Sequence, residues 1–257
     1  MRKIYKSSDD NDLTIYASMH PFATWDDFRD FDSGNVYKVI KKKIFHEQYE
    51  LCAYCESDLS AALANNRRVE HFQSKSDGIE DGRNIHLDWF NLLGVCVGGS
   101  DYENMKVYEL PFNLSCDAHK AHLESTQKNL DKNWNGKVIS PLTIPEHHIL
   151  FKFEKSTGKL FPDPDYCSMH KFSENQFETT EELVNETIRV FNLNCDRLNK
   201  ARLQVFYFLQ KQIKLARKTN NLNQLKRFVN SWNRDKPLSF QTTRDILLRE
   251  YKQILAD

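Results

Sequence analysis

The sequence predicts an α+β fold, mostly helical, in which a small metal-binding module is set between helices. Three observations predict it. Apolar residues recur at helical spacing before residue 50 and again after residue 179. From Leu51 to Lys120 the texture changes to four cysteines, short β-like pieces and glycine-punctuated loops. From Ile149 to Phe161 two short apolar runs flank Ser156-Thr157-Gly158, the pattern of a hairpin. At 257 residues the chain can bury a real hydrophobic core. Three segments are expected: 1–48, an N-terminal segment and helix; 49–125, the metal module; 126–257, a hairpin followed by a helical region.

Residues 1–33 are mixed, rich in Asp, Ser and Phe, and their pattern assigns them no role. Val36, Tyr37, Ile40, Ile44, Phe45 and Gln48 then fall at helical spacing, with a start near Gly34 and Asn35. Arg68-Val69-Glu70-His71-Phe72 reads as β-type, and Val138 to Pro141 as irregular. Pro162 and Pro164 close the later hairpin. Thr179 to Phe191 is an acidic helix opening on Thr-x-x-Glu. A long helix begins near Asp196, with Leu198, Ala201, Val205, Leu209, Ile213 and Ala216 as its apolar stripe. Thr219, Asn220, Asn221 and Asn223 mark a loop, and a last helix is expected from Thr242 to Leu255.

Lysine plus arginine and aspartate plus glutamate both count 36, so the formal net charge is zero. That excludes a protein that coats DNA by bulk charge; any nucleic-acid surface has to be local. The polar Met1–Asp10 stretch lacks the apolar run of a signal peptide, and nothing approaches a membrane span. A cytoplasmic protein without membrane contact is expected. Its six cysteines are then better read as ligands or buried thiols than as disulfides.

Cys52-Ala53-Tyr54-Cys55 places two thiolates on one tight turn, the spacing that chelates one Zn²⁺. A tetrahedral site needs two more ligands, and Cys96 and Cys116 are the candidates in the same module. The long insertion between them is tolerable if the metal holds both of its ends. A thioredoxin-like role lacks its βαβ context, and Cys167 and Cys195 have no ligand-like spacing.

Glu70-His71 lies between the two cysteine pairs. A carboxylate oxygen suits a hard divalent cation, Mg²⁺ or Mn²⁺. An imidazole takes a proton from water near neutral pH. Together they suit hydrolysis of a phosphodiester. Trp89-Phe90-Asn91-Leu92-Leu93 and then Cys116-Asp117-Ala118-His119-Lys120 complete an ordered series.

That series resembles the HNH endonuclease family, and most resembles the PtuB-type HNH proteins of Septu and retron-associated antiphage systems. The residues that carry it are Cys52-Ala53-Tyr54-Cys55-Glu56, Val69-Glu70-His71-Phe72, Trp89 to Cys96 and Cys116 to Lys120. Phe153 to Pro162 and Phe191-Asn192-Leu193-Asn194 fit the same group, so the likeness spans about Gln48 to Arg202. It implies a ββα-metal module stapled by structural zinc on Cys52, Cys55, Cys96 and Cys116. It implies His71 as general base, Asn91 as the residue fixing the facing loop, and Glu70 as a ligand of a catalytic Mg²⁺ or Mn²⁺. The residue after the last cysteine is usually His or Asn in such motifs; here it is Asp117. Asp117 and His119 are rivals for that third position, since residues two apart on a helix face different ways. Lys120, three residues after Asp117, is a candidate phosphate contact. The resemblance further implies cleavage of DNA or RNA to a 5′-phosphate and a 3′-hydroxyl. The implied partners are a PtuA-type ATPase and a retron reverse transcriptase complex. The chain has no G-x-x-x-x-G-K-[ST] loop, so nucleotide hydrolysis is left to a partner.

Charge is unevenly spread. Lys200, Arg202, Lys211, Lys214, Arg217, Lys218, Lys226, Arg227, Arg234 and Lys236 stand against Asp235 alone, whereas Glu174 to Glu186 carries acids and no basic residue. Lys211, Lys214, Arg217 and Lys218 are the candidate phosphate contacts of the basic run. His86, His122, His147 and His148 are read as non-catalytic. The competing reading is a zinc-stapled module that binds nucleic acid or a partner without catalysis.

Overall fold

The computed structural model describes residues 1–75, 78–80, 82–128, 130–146, 149–232 and 236–250, without the side chains of residues 79, 80, 222 and 250. His147, His148, Arg234, Asp235 and the expected last turn of the final helix lie outside the described residues. The elements are α1 (Asp12–Met19), α2 (Trp25–Asp30), a 3-10 turn (Phe31–Gly34), α3 (Asn35–Glu47), β1 (Arg67–His71), β2 (Ile79–Glu80), β3 (Arg83–Asn84), β4 (Leu92–Cys96), α4 (Tyr102–Met105) and α5 (Cys116–Thr126). Then follow β5 (Phe151–Phe153), β6 (Leu160–Pro162), α6 (Pro164–Met169), α7 (Thr180–Val190), α8 (Asp196–Lys218), α9 (Leu222–Asn230) and α10 (Gln241–Glu250). The fold is mixed α/β, with three two-stranded sheets among the described residues.

The N-terminal segment is helical because its polar residues are caps. Asn11 with Thr14, and Thr24 with Asp27, each form a reciprocal capping box at the start of α1 and α2. Leu13, Tyr16, Trp25 and Phe28 bury against Ile40 and Ile44 of α3 and against Leu87, Trp89 and Leu92.

β1 and β4 pair antiparallel, with Arg67 opposite Cys96, Glu70 opposite Leu93 and His71 opposite Leu92. Every residue of β4 is buried, because α3 and α5 both pack on it. Gly94 permits this closeness: a Cβ there would lie 2.9 Å from the Phe45 ring. Gln48, at the end of α3, bonds both backbone groups of Gly94, at 2.7 Å each. The first strand of the sheet thus ends on Glu70-His71, and α5 starts on the residue after Ser115.

The C-terminal half packs α7, α8 and α10 around the β5–β6 hairpin. The strands are shorter than the expected runs, pairing Phe151 with Pro162 and Phe153 with Leu160. Pro162 is the last strand residue, and Pro164 does not merely close the hairpin but opens α6 at its first turn. α7 keeps its Thr179–Glu182 capping box. In α8 the buried set includes Leu198, Val205, Leu209, Ile213 and Ala216; Ala201 is only half-buried. The loop at Thr219 is short, since α9 already begins at Leu222. The larger core runs from Met1 and Ile4 through the four cysteines to Ile246 and Leu247, so the three expected segments share it.

One cation of the basic run is misplaced by charge counting. Arg202 is buried, with its guanidinium bonded to the carbonyls of Gly158 (2.8 Å) and Leu193 (2.6 Å) and to Asn199 Oδ1 (2.7 Å). It ties the hairpin turn to α8, and burial pulls its pKa down to about 10.

Candidate functional site

Cys52, Cys55, Cys96 and Cys116 converge although the chain between them is long. Cys52 and Cys55 sit on the turn after α3, Cys96 ends β4, and Cys116 begins α5. All four are buried, and their sulfurs lie within 4.8 Å of one another. The Cys52–Cys116, Cys55–Cys96 and Cys96–Cys116 sulfur separations are 3.8, 3.8 and 3.7 Å. Four sulfurs placed tetrahedrally around zinc at ~2.3 Å stand about 3.8 Å apart, so the set fits that ion. Burial pushes the Cys116 thiol well above its ordinary pKa, and a bound cation is what would hold it as thiolate. Gly98, at φ +65, lets the chain turn back: a Cβ there would meet the Ser115 carbonyl at 2.2 Å. The insertion thereby leaves and returns at the cluster.

The cluster is tied into every neighbouring element. Ala53 N–H donates to Gly94 O at 3.0 Å, and Cys116 N–H to Phe191 O at 2.8 Å. Arg197, in the first turn of α8, reaches Ser115 Oγ at 2.7 Å. Glu56 accepts from the Thr242 N–H of α10 at 2.8 Å and from the Thr242 hydroxyl.

His71 lies where β1 ends, and its ring is largely buried. Nε2 is 3.0 Å from the His86 carbonyl oxygen. A carbonyl can only accept, so the proton sits on Nε2 and Nδ1 keeps its lone pair. Burial pulls the ring's pKa down to about 4, against that hydrogen bond. His71 is therefore neutral near pH 7 and able to accept a proton.

Asn91 closes the loop that carries His86. It is buried, its Oδ1 accepts from Gln73 N–H at 2.7 Å, and its Nδ2 donates to Gln73 O at 3.0 Å and Ile85 O at 3.1 Å. These bonds hold the loop closed. Asn91→Ala removes these three bonds, and an expected loss of about 2–3 kcal/mol is read by urea denaturation.

Glu70 points from β1 toward α5, where it meets Lys120 and Asp117. Lys120 contacts Glu70 directly and stands 4.0 Å from Asp117. Burial pushes the Glu70 carboxyl well above the usual range, and Asp117, which also hydrogen-bonds it, pushes the same way against Lys120. Burial opposes the Lys120 ammonium, yet Glu70 and Asp117 hold its pKa above the ordinary value. Two carboxylates share one ammonium, which leaves the cluster one positive charge short of balance. Tyr54 adds to this: its buried hydroxyl has no hydrogen-bond partner among the described residues, and Glu70 and Asp117 both raise its pKa after burial itself. A buried, anion-rich spot with an orphaned hydroxyl fits a hard, hydrated divalent cation.

Three expected residues are placed differently. Lys120 is 6% exposed and bound to Glu70 instead of standing free for a phosphate. One turn of α5 brings it over Asp117 and inward, against β1. His119 does not join the carboxylates: its Nδ1 donates to the Val190 carbonyl at 2.8 Å, at the end of α7. No group of three metal-binding side chains among the described residues includes it. His86 helps build the site, but through its backbone carbonyl. Lys211, Lys214, Arg217 and Lys218 are exposed on the far half of α8. At 1.5 Å per residue they lie about 20–30 Å along the axis from Arg197. Sequence reasoning missed Trp25, whose ring meets His71 edge-on at 4.7 Å; 46 positions separate the two, and no spacing rule connects them.

The site thus combines a two-stranded antiparallel sheet ending on Glu-His, a facing loop closed by Asn91, and a helix opening on Cys-Asp. The chain belongs to the HNH endonuclease family. It is similar to the "Retron Ec83 putative HNH endonuclease" of Escherichia coli, with 42% identity over 250 residues, covering 97% of this chain and 95% of that protein. No family model matches the chain. Among the described residues no helix is long and apolar enough to cross a membrane.

Proposed function

We propose that this chain is the nuclease of a retron-associated antiphage system, hydrolysing nucleic-acid phosphodiesters with a divalent metal under the control of a PtuA-type ATPase. The observation that carries the chemistry is a neutral His71 of fixed tautomer at the end of β1, preceded on the strand by Glu70, which meets Asp117 and Lys120 of α5. In this reading β1, β4 and α5 form the ββα-metal arrangement, and the four buried cysteines hold its structural zinc. The likeness to a retron protein supports the defence setting.

His71 Nδ1 takes the proton of the attacking water while Nε2–H stays on the His86 carbonyl. The imidazolium that forms is stabilised by that same carbonyl. Asn91 keeps the loop, and so the carbonyl, in place. Glu70 and Asp117 would hold Mg²⁺ or Mn²⁺, which supplies neutralisation of charge on the phosphoryl group and leaving oxygen. Lys120 holds the Glu70 carboxylate and limits the repulsion between the two acids. The exposed cations of α8 are proposed to contact nucleic acid at a distance from the cleavage point, a contribution that weakens steeply with salt.

The full chain, alone and co-expressed with its neighbouring ATPase, should be incubated with plasmid DNA and with total tRNA, with Mg²⁺ or Mn²⁺ and with EDTA. Metal-dependent cleavage of one substrate, strongest with the ATPase present, is the expected result, and the substrate consumed decides between DNA and RNA. Binding without cleavage of either, by a zinc-loaded complex, would instead make the chain a zinc-stapled binding module. Efficient cutting by the isolated chain would remove the ATPase from the account.

A further inference from the structure

We propose that Trp25 is a positioning residue for His71: its indole fixes the plane of the imidazole, with Nε2 on the His86 carbonyl and Nδ1 left to accept a proton. This rests on the reading of His71 as the base.

A histidine held by one hydrogen bond can swing about its broad ring torsion. His71 is denied that freedom. The Trp25 ring stands at 87° to it with centroids 4.7 Å apart. Trp25 is itself braced, edge-on to Tyr37 of α3 at 5.7 Å and tilted against Phe28 at 5.5 Å. Trp25 is 5% exposed and His71 7%, so little water competes for the contact.

The same residue acts a second time through its backbone. Trp25 N–H donates to His86 Nδ1 at 3.3 Å, and His86 is the residue whose carbonyl holds His71. Two latches fix the segment that carries Trp25. Asn84 Nδ2 donates to the carbonyls of Pro21 (3.0 Å) and Ala23 (2.9 Å). The Lys6 ammonium donates to the carbonyls of Trp89 and Leu92, on either side of Asn91. Residues 6–25 therefore grip the loop between β1 and β4 at several points, Trp89 Nε1–H also donating to the Ser7 carbonyl at 2.9 Å. The N-terminal segment, silent in the sequence, completes the setting of the base.

The test compares zinc-loaded full-length protein as wild type, Trp25→Phe, Trp25→Leu and His71→Ala, each with ¹⁵N-labelled imidazoles. His71→Ala assigns the resonance. Wild type and Trp25→Phe should show His71 as a single Nε2–H tautomer, because an aromatic edge is kept. Trp25→Leu should show a mixture of tautomers. With the substrate found above, kcat of Trp25→Leu should fall about ten- to a hundred-fold, as for a misplaced catalytic group. KM should stay unchanged and Trp25→Phe should restore kcat. Should Trp25→Leu fail to hold zinc, Trp25→Met, which keeps a long apolar side chain but no aromatic edge, replaces it with the same expected spectrum. A single Nε2–H state and wild-type turnover in the test variant would overturn the proposal. If His71→Ala cleaves like wild type, the assignment of the base falls, and the spectrum alone still decides whether Trp25 holds the ring.

Discussion

Cys116→Ser is expected to unfold most of the molecule, not just the knuckle. The cluster connects β4 to α5, and through Phe191, Arg197 and Thr242 it fastens α7, α8 and α10. Its four cysteines are part of the larger core itself. A serine leaves three sulfurs and a weak oxygen ligand, so zinc affinity collapses. Structural zinc in small domains contributes folding energy directly. A loss of even about 5 kcal/mol would lower Tm by about 10–20 °C at this chain length. The measurement is thermal unfolding with zinc quantified in parallel. Wild type treated with a strong chelator should reproduce the variant. A zinc-free chain with the wild-type Tm would show that hydrophobic packing alone closes the cluster.

His71→Ala carries the second large effect, on rate rather than on fold. Loss of a general base lowers turnover about 10²–10⁴-fold, and single-turnover cleavage at saturating metal measures it. Stability should fall less than in Cys116→Ser, by one hydrogen bond and the void left against Trp25. The pH dependence has a definite sign. The native ring binds its proton near pH 4, whereas an unfolded histidine does so near about 6.5. Above that value neither state is protonated and the group has no effect. As pH falls from there toward 4, only the unfolded chain takes up the proton, so stability is lost. Tm should therefore drop less between pH ~7.5 and ~5 in His71→Ala than in wild type. Cleavage itself should not be limited by protonation of the base anywhere near neutral pH.

Much of the site is legible in the sequence because its parts are local. Here the C-x-x-C step forms a tight turn, and Thr-x-x-Glu at 179–182 forms the capping box that starts α7. Glu70 and His71 fall on opposite faces of a strand, which sends one toward α5 and the other toward the N-terminal helices. The rivalry of Asp117 and His119 could be framed from helix phase but not decided, since the phase depends on what α5 packs against. The Val190 carbonyl takes His119, and β1 takes Lys120. Lys120 and Arg202 show why charge counting misplaces cations: each is held in the interior by at least one partner 44 or more positions away. The role of residues 1–33 was invisible for the same reason. Their caps and aromatics announce two short helices, while the ring that Trp25 meets belongs to a strand far along the chain.

The central claim is that Glu70 and Asp117 share one divalent cation beside His71, with the zinc cluster as a separate, structural site. Mn²⁺ titration of zinc-loaded protein, followed by electron paramagnetic resonance, tests it directly. Wild type and His71→Ala should each bind one Mn²⁺ with zinc retained. Glu70→Gln and Asp117→Asn should each lose that binding, and His119→Ala should keep it. Mn²⁺ binding that survives in Asp117→Asn and disappears in His119→Ala would contradict the account.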